Sequence, residues 1–137
     1  MKVIMQPVGF VRTEARQIPK HFSISQVEGE LVIDEAYRDG LEGISPGDRI
    51  VVLFWFHKSE KFSPAYLKQY PRGDRQRKKR GVFNLCSPIR PNSIGLSIVH
   101  VLEKKGTTLR VRGIDMLDGT PILDLKPCTE IEGDGKP

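Results

Sequence analysis

The chain has 137 residues, of which 38% are hydrophobic and 28% are charged, and its formal net charge is +5. This length suits one domain with a single hydrophobic core, and the sequence has no run of about eighteen apolar residues that could span a membrane. Because the N-terminus also lacks the long apolar segment and cleavage site of a secretory signal, we expect a cytoplasmic protein.

Strand patterns dominate the first half of the chain. Residues 2–11 and 28–34 have the length and β-branched content of strands, and residues 49–57 form a nearly unbroken apolar run typical of a strand buried on both faces. Between them, Asp34 is placed to cap a short helix over residues 34–44.

The middle of the chain, residues 58–80, is polar and basic and is predicted to be a long excursion from the sheet. Within it, a serine followed by a proline favours a short helix over residues 63–70. Residues 94–125 then have the pattern of a three-strand meander, with turns at Lys105–Gly106 and at Asp118–Gly119.

These elements together predict a mainly β fold, a small antiparallel β-barrel with one or two short helices and a basic loop excursion. We expect the single domain to span residues 1–130 and a flexible C-terminal tail to span residues 131–137.

The most charged stretch is residues 72–80, with six basic side chains and one aspartate. A run of one sign repels itself unless an anion is bound, so both a solvated loop and a phosphate-contacting strip fit it. In the middle strand of the meander, basic and apolar residues alternate, which predicts one positively charged face. The candidate RNA contacts are Arg72, Arg75, Arg77, Lys78, Lys79, Arg80, Arg110 and Arg112.

A proline loop, which we define as residues 86–93, precedes the meander and reads CSPIRPNS. Pro88 and Pro91 fix φ and restrict the residues before them, while Gly95 just beyond the loop lets another backbone or a ligand come close. The polar side chains here form either a preorganised pocket or local hydrogen bonds that only satisfy the backbone.

The other motifs mainly argue against particular kinds of metal site and classes of enzyme. The two cysteines, Cys86 and Cys128, belong to no CxxC pair and have no histidine at ligand spacing, and the aspartates match no calcium loop, so we predict no bound metal. His57 ends the apolar run and could face a site, although a single histidine is more often structural. The absence of GxSxG, Walker A and complete GxGxxG motifs argues against hydrolases, ATPases and dinucleotide oxidoreductases.

Two long motifs, RGVFNLCSPIRPNSIGLSIV and LRVRGIDMLDGTPILDLKP, resemble the signature of the TrmO (TsaA-like) family. The family pattern runs G-V-F-A-T-R-S-P-x-R-P-N-P-I-G-L-S and then D-x-L-D-G-T-P-V-L-D-I-K-P-Y. The opening QPVGFVRT and the run VVLFWFH are also similar to that family, so the resemblance covers residues 5–127. Two long motifs in the same order make it specific.

The resemblance implies an S-adenosylmethionine-dependent methyltransferase on a small β-barrel. It further implies a homodimer, with the cofactor near the subunit interface, that methylates N6 of threonylcarbamoyladenosine beside the tRNA anticodon. Asp118 and His57 are the candidates for orienting the acceptor nitrogen or taking its proton. The implied cofactor-binding residues are Pro19, Lys20, His21, His57, Lys58, Cys86, Arg90, Asn92, Leu96, Met116, Leu117, Asp118 and Gly119.

This chain departs from the family pattern at several positions, including Asn84 and Leu85 at the Ala-Thr of the first motif. Cys86 replaces an arginine, Ser93 a proline and Cys128 a closing tyrosine. Loss of a charge-assisted contact to the cofactor would weaken its binding by about 1.5 to 3 kcal/mol. Two alternatives therefore stay open: a divergent S-adenosylmethionine-binding methyltransferase with another acceptor, and a non-catalytic β-barrel module that binds RNA or cofactor.

Overall fold

Antiparallel strands form the framework of the protein, and the computed structural model describes residues 1–128. The strands are β1 (Gly9–Arg12), β2 (Glu28–Ile33), β3 (Arg49–Trp55), β4 (Lys68–Gln69), β5 (Arg80–Gly81), β6 (Ile94–Lys105), β7 (Thr108–Arg112) and β8 (Pro121–Pro127). Short 3-10 helices span Phe22–Ile24, Glu35–Leu41, Pro64–Tyr66, Pro71–Gly73 and Val82–Asn84. The predicted mainly β fold with few helices is confirmed.

Six of the strands close on themselves in the order β1-β2-β7-β6-β3-β8, with β8 pairing back to β1. Closure removes the unpaired edges that an open sheet would expose. The other two strands, β4 and β5, form a separate two-stranded hairpin. Residues 129 and 130 of the predicted domain, and the predicted tail over 131–137, lie outside the described residues.

Alternating apolar side chains fill the barrel. In β7, for example, Leu109 and Val111 are fully buried while Arg110 between them is exposed, as the two-residue period of a strand requires. The core cluster comprises Val11, Leu31, Ile33, Leu41, Ile50, Val52, Phe54, Val99, Val101, Leu109, Val111, Ile114, Met116 and Ile122.

The predicted strand over residues 2–11 is wrong for most of its length. The observed strand begins at Gly9, and the first seven residues are exposed and lie outside any strand. Pro7 has no N–H to donate, so strand pairing begins only beyond it. Gly9 is required here because a Cβ atom at this position would lie 2.2 Å from the carbonyl oxygen of Val32.

The predicted meander over residues 94–125 is correct in its first hairpin and wrong in its second. β6 and β7 pair across a turn at Gly106, whose φ is +61°. β8, however, pairs with β1 and β3 and not with β7. Asp118–Gly119 is therefore a turn that leads into β8 rather than a hairpin between adjacent strands. The chain from 113 to 120 carries β8 across the barrel, where it fills the gap between β1 and β3.

The remaining predictions hold in part. The Asp34 carboxylate accepts a hydrogen bond from the Ala36 N–H at 3.1 Å and caps the 3-10 helix Glu35–Leu41, as predicted. The second predicted helix ends early, at Tyr66, because β4 begins soon after it. The run predicted to be buried on both faces ends at Trp55, whose side chain is half exposed. In the described part of the chain, every helix is too short and polar to cross a membrane.

Candidate active site

A cavity of about 240 Å³ lies at the end of the barrel where β3 stops and where β6 and β8 begin. Its walls come from chain segments that are far apart in sequence. They are the end of β3 with residues that follow it, up to Ser59, and Pro88 of the proline loop. The connection into β8 contributes Asp115, Met116, Leu117 and Thr120. The antiparallel pairing of β3 with β6 and β8 brings these segments to the same end of the barrel.

Two aromatic rings form the inner wall of the cavity. Phe54 and Phe56 pack edge to face with ring centroids 4.9 Å apart. They lie over Gly95 of β6, where a Cβ atom would come within 2.3 Å of the Phe54 ring and 2.8 Å of the Phe56 ring. Gly95 therefore makes room for these rings, and not for the second backbone or the ligand that the sequence suggested.

A partly buried carboxylate, that of Asp115, lines the same cavity as the rings. Ser97 of β6 points into the barrel and is fully buried, and its hydroxyl donates to Asp115 Oδ1 at 2.5 Å. Burial raises the pKa of Asp115 above its ordinary value, opposed by the hydrogen bond from Ser97 and by the nearby His21. The backbone N–H groups of Asp115 and Phe22 also favour the ionised form. Asp115 thus carries a charge whose cost is only partly offset.

The segment around His21 reaches the cavity through this carboxylate. His21 caps the 3-10 helix Phe22–Ile24 by accepting a hydrogen bond from the Ser23 N–H at 3.2 Å. The Ser25 hydroxyl then donates to the carbonyl of Ile114 at 2.5 Å, which fixes the helix against the connection into β8. His21, one of the implied cofactor-binding residues, therefore lies near Asp115 on the cavity wall.

The proline loop satisfies its own polar groups. Arg90 Nη1 donates to the carbonyls of Leu85 and Ser87, at 2.9 and 3.2 Å, and the Ser87 hydroxyl accepts from the Ile89 N–H. Of the two interpretations of this loop, local backbone satisfaction accounts for Ser87 and Arg90. The loop contributes Pro88, a rigid apolar surface, to the cavity wall.

The structure brings some of the predicted cofactor residues together and leaves others outside. His57, Lys58, Met116 and Leu117 line the cavity. Those outside its walls include the exposed Cys86 and Asn92, Leu96 on the outer face of β6, and Asp118 and Gly119 in the adjoining turn. The cofactor role of each residue stays a prediction.

Asp118, one of the two candidate catalytic residues, has a structural partner. Its Oδ1 accepts a hydrogen bond from the backbone N–H of Thr13 at 2.9 Å, which ties the turn before β8 to the end of β1. His57 instead lies on the cavity wall. The geometry therefore favours His57 over Asp118 for contact with a bound ligand.

Sequence analysis did not select Asp115, Ser97 or the two phenylalanines as site residues. One signal was present: in the alternation of β6, Ser97 occupies an inward position between the inward-facing Gly95 and Val99. A polar side chain on a buried face requires a hydrogen-bond partner. That partner, Asp115, is remote in sequence and could not be identified from the pattern.

The basic segment, residues 72–80, follows β4 and ends at Arg80, the first residue of β5. The Gln69 side-chain amide donates to the carbonyl of Ile89 at 2.7 Å and fastens the hairpin to the proline loop. The Lys79 ammonium lies 5.1 Å from the centroid of the Tyr70 ring. Of the ion pairs formed within residues 1–128, none includes a side chain of the basic segment.

Arg110 and Arg112 share one exposed face of β7, as predicted, but acidic side chains of neighbouring strands contact Arg110. Arg110 contacts Glu28 at 2.6 Å and Glu103 at 3.4 Å, so neighbouring strands compensate its charge. Arg112 is also exposed on that face.

As for metals, residues 1–128 contain no group of three His, Cys, Asp or Glu side chains arranged to hold an ion.

Residues 11–131 match the family described as the tRNA-methyltransferase O N-terminal domain. The chain is 41% identical over 133 residues to a probable S-adenosyl-L-methionine-binding protein of Methanothermobacter thermautotrophicus, covering 95% of this chain and 93% of the relative. It is 36% identical to an S-adenosyl-L-methionine-binding protein of Archaeoglobus fulgidus over 127 residues, which are 90% of this chain and 88% of that protein.

A solved structure of TrmO from Pseudomonas aeruginosa is similar in fold, with a TM-score of 0.72 and 28% sequence identity. The match covers 93% of this chain and 56% of the TrmO chain. The present chain therefore spans little more than half the length of that solved protein.

Proposed function

The chain belongs to the family of tRNA-methyltransferase O N-terminal domains, and from this membership we propose that it binds S-adenosylmethionine and methylates tRNA. The acceptor we propose is N6 of threonylcarbamoyladenosine beside the anticodon. One observation carries the proposal: the cavity joins the end of β3, the proline loop and the connection into β8. These are the segments that hold the motifs of the family.

The residues present fit this cofactor. Phe54, Phe56 and Met116 offer an apolar, partly aromatic surface for an adenosine group, and Asp115 offers a negative charge to a cation. The cavity volume of about 240 Å³ is near the lower end of small-molecule sites. A ligand of this size would therefore also contact groups at the cavity mouth.

In the proposed reaction, the cofactor supplies a methyl group on a sulfonium: a carbon–nitrogen bond forms, the carbon–sulfur bond breaks with its electron pair going to sulfur, and the N6 proton leaves. Because sulfur is already a good leaving group, the protein chiefly has to align the acceptor and exclude water. The two phenylalanine rings exclude water from the inner wall. We propose that His57, on the wall of the cavity, takes the proton.

The basic segment is the proposed site for the tRNA backbone. We expect the logarithm of tRNA affinity to fall linearly with the logarithm of salt concentration. Replacing Arg75, Arg77 and Lys78 with glutamine should reduce the slope by about 0.7 to 0.9 for each lost phosphate contact. Arg12→Gln is the matched control, because Arg12 already pairs with Glu30 at 2.9 Å. An unchanged slope in the triple variant would contradict this role.

We also propose that the protein acts as a homodimer in the cytoplasm. Support comes from an outer apolar patch, which we define as Trp55, Ile94 and Leu96, with exposed fractions of 49%, 40% and 46%. Trp55 and Ile94 are directly paired across β3 and β6, so the patch is continuous, and continuous apolar patches favour association. Sedimentation should show a dimer that Leu96→Lys dissociates, whereas Leu67→Lys, at an equally exposed leucine, leaves it intact.

The test of the function has two parts. Calorimetry should detect S-adenosylmethionine binding, and methyl transfer should occur to threonylcarbamoylated tRNA but not to the same tRNA lacking that modification. Absence of both would refute the proposal. Binding without transfer would favour the second candidate, a cofactor-binding protein with another acceptor or none.

One observation favours that second candidate: Cys86 stands, exposed, where the family motif has an arginine. Cys86→Arg distinguishes this candidate from a module that binds RNA alone. Cofactor affinity should increase if a lost guanidinium contact limits binding, and it should stay unchanged if the protein binds RNA alone.

A further inference from the structure

The cavity has an asymmetric charge environment at its inner end. Of the described residues that line it, Asp115 supplies the one carboxylate, and it lies among apolar groups that include Phe54, Phe56 and Met116. The basic groups closest to the cavity are His57 and Lys58 on its wall and His21 beside Asp115. A negative charge kept in an apolar cavity is costly unless a cation approaches it.

Part of the hydrogen-bonding capacity of this carboxylate is already used. An ionised carboxylate accepts about four hydrogen bonds. Asp115 accepts one from the buried Ser97 hydroxyl at 2.5 Å, and the backbone N–H groups of Phe22 and Asp115 itself also stabilise its charge. A cationic ligand group would therefore gain from the opposite charge of Asp115 even if it donates no hydrogen bond to it.

The aromatic wall of the cavity also favours a cation, in particular one without hydrogen-bond donors. The rings of Phe54 and Phe56 attract a cation but accept no conventional hydrogen bonds. An ammonium group brings three N–H donors that need acceptors, and these rings cannot provide them. A sulfonium carries a positive charge and no donors, so it matches both the rings and the negative charge of Asp115.

We propose that Asp115 determines specificity for charge: it makes the cavity bind a sulfonium ligand in preference to the uncharged thioether that remains after methyl transfer. The inference rests on the proposed function, because it assigns a role at the same site. Its consequence is that loss of the positive charge during the reaction weakens binding of the product and promotes its release.

Calorimetry with two ligands tests this assignment. The probes are S-adenosylmethionine and S-adenosylhomocysteine, which share every group except the methyl and the charge on sulfur. In the unmodified protein, the sulfonium form should bind at least about tenfold more tightly, the factor given by about 1.4 kcal/mol. Asp115→Asn should lower affinity for the sulfonium form about ten- to a hundredfold and for the thioether less than about threefold.

Asp124→Asn provides the matched control, because Asp124 is exposed on β8 beside Lys126 and lies outside the cavity. It should leave both affinities unchanged. Equal losses for both ligands in Asp115→Asn would overturn the inference, because the carboxylate would then serve a group that the two share. Equal affinities in the unmodified protein would overturn it too, without depending on the folding of any variant. Failure of both ligands to bind the unmodified protein would refute the proposed function itself.

Discussion

The two halves of the barrel differ in where they place polar groups. In β1, β2 and β7, the interior is apolar, with Val11, Leu31 and Leu109 fully buried. The outside of this half is charged, with ion pairs such as Arg12–Glu30 and Arg110–Glu28. In the other half, built around β3 and β6, the interior contains the Ser97–Asp115 hydrogen bond, and the outside exposes the outer apolar patch.

This difference separates the half that stabilises the fold from the half that carries the candidate site. Partly burying a carboxylate and exposing large apolar side chains both cost free energy in an isolated monomer. Departures of this kind are expected where a ligand or partner provides compensation. The cavity lies in the half built around β3 and β6, which holds both of these costly features, and this agrees with that expectation.

The largest effect on stability should come from the half formed by β1, β2 and β7, which we call the regular half. Leu31→Ala removes a fully buried side chain and should lower the free energy of unfolding by about 2 to 5 kcal/mol. Denaturant unfolding measures this loss. Because Leu31 is on β2, which does not contribute to the cavity, the affinity of the folded variant for S-adenosylmethionine should stay unchanged. A loss of cofactor affinity in this variant would mean that packing in the regular half also determines ligand binding in the other half.

The second-largest effect should change both the stability of the barrel and cofactor binding in the cavity. Gly95→Ala places a Cβ atom within 2.3 Å of the Phe54 ring, so the rings must shift toward the cavity. Overpacking of this kind costs about 1 to 3 kcal/mol, and we also expect weaker cofactor binding by calorimetry. Gly81→Ala is the control, because a Cβ atom there meets no other atom within 4 Å. If Gly95→Ala binds the cofactor normally, then the rings do not shape the site.

These expectations rest on features that sequence could predict only in part. Residues 28–34, 49–57 and 94–105 have the apolar content of strands, and β2, β3 and β6 lie there. Period-two alternation gives the face of a side chain but not the partner of a strand. For this reason the position of β8 between β1 and β3 was missed, and its Asp-Gly turn was mistaken for a hairpin.

The candidate site could likewise be predicted from the sequence only in part. His57 and Lys58 could be placed near a site because they directly follow a buried strand and match the family motif. Asp115 was missed because its burial depends on Ser97 and on the segment near Phe22, which only the closed barrel brings together. The proline loop was overestimated as a polar pocket because Arg90 folds back onto its own carbonyls.

The third effect is a dependence of stability on pH. Since burial raises the pKa of Asp115 in the folded state, its contribution to stability is fully present below the ordinary aspartate pKa. That contribution is lost as the pH rises through the raised folded pKa. Asp115→Asn does not titrate, so its free energy of unfolding should increase relative to that of the unmodified protein as the pH rises across this window.

Denaturant unfolding of both proteins at several pH values measures this difference. Asp124→Asn on the exposed face of β8 is the control for removing a carboxylate. A difference that is constant with pH, or that decreases as the pH rises, would show that burial does not dominate the environment of Asp115.

The smallest effect should lie on the charged outside of the regular half. Arg110 pairs with Glu28 and Glu103, and all three side chains are about half exposed. Exposed ion pairs contribute about 0 to 1 kcal/mol because water and salt screen them. Arg110→Gln should therefore lower the free energy of unfolding by less than about 1 kcal/mol, and the loss should shrink as salt is added. Arg112→Gln, on the same face of β7, is the matched control. A larger loss that persists in salt would show that the outer charges of the regular half stabilise the barrel as much as its apolar core does.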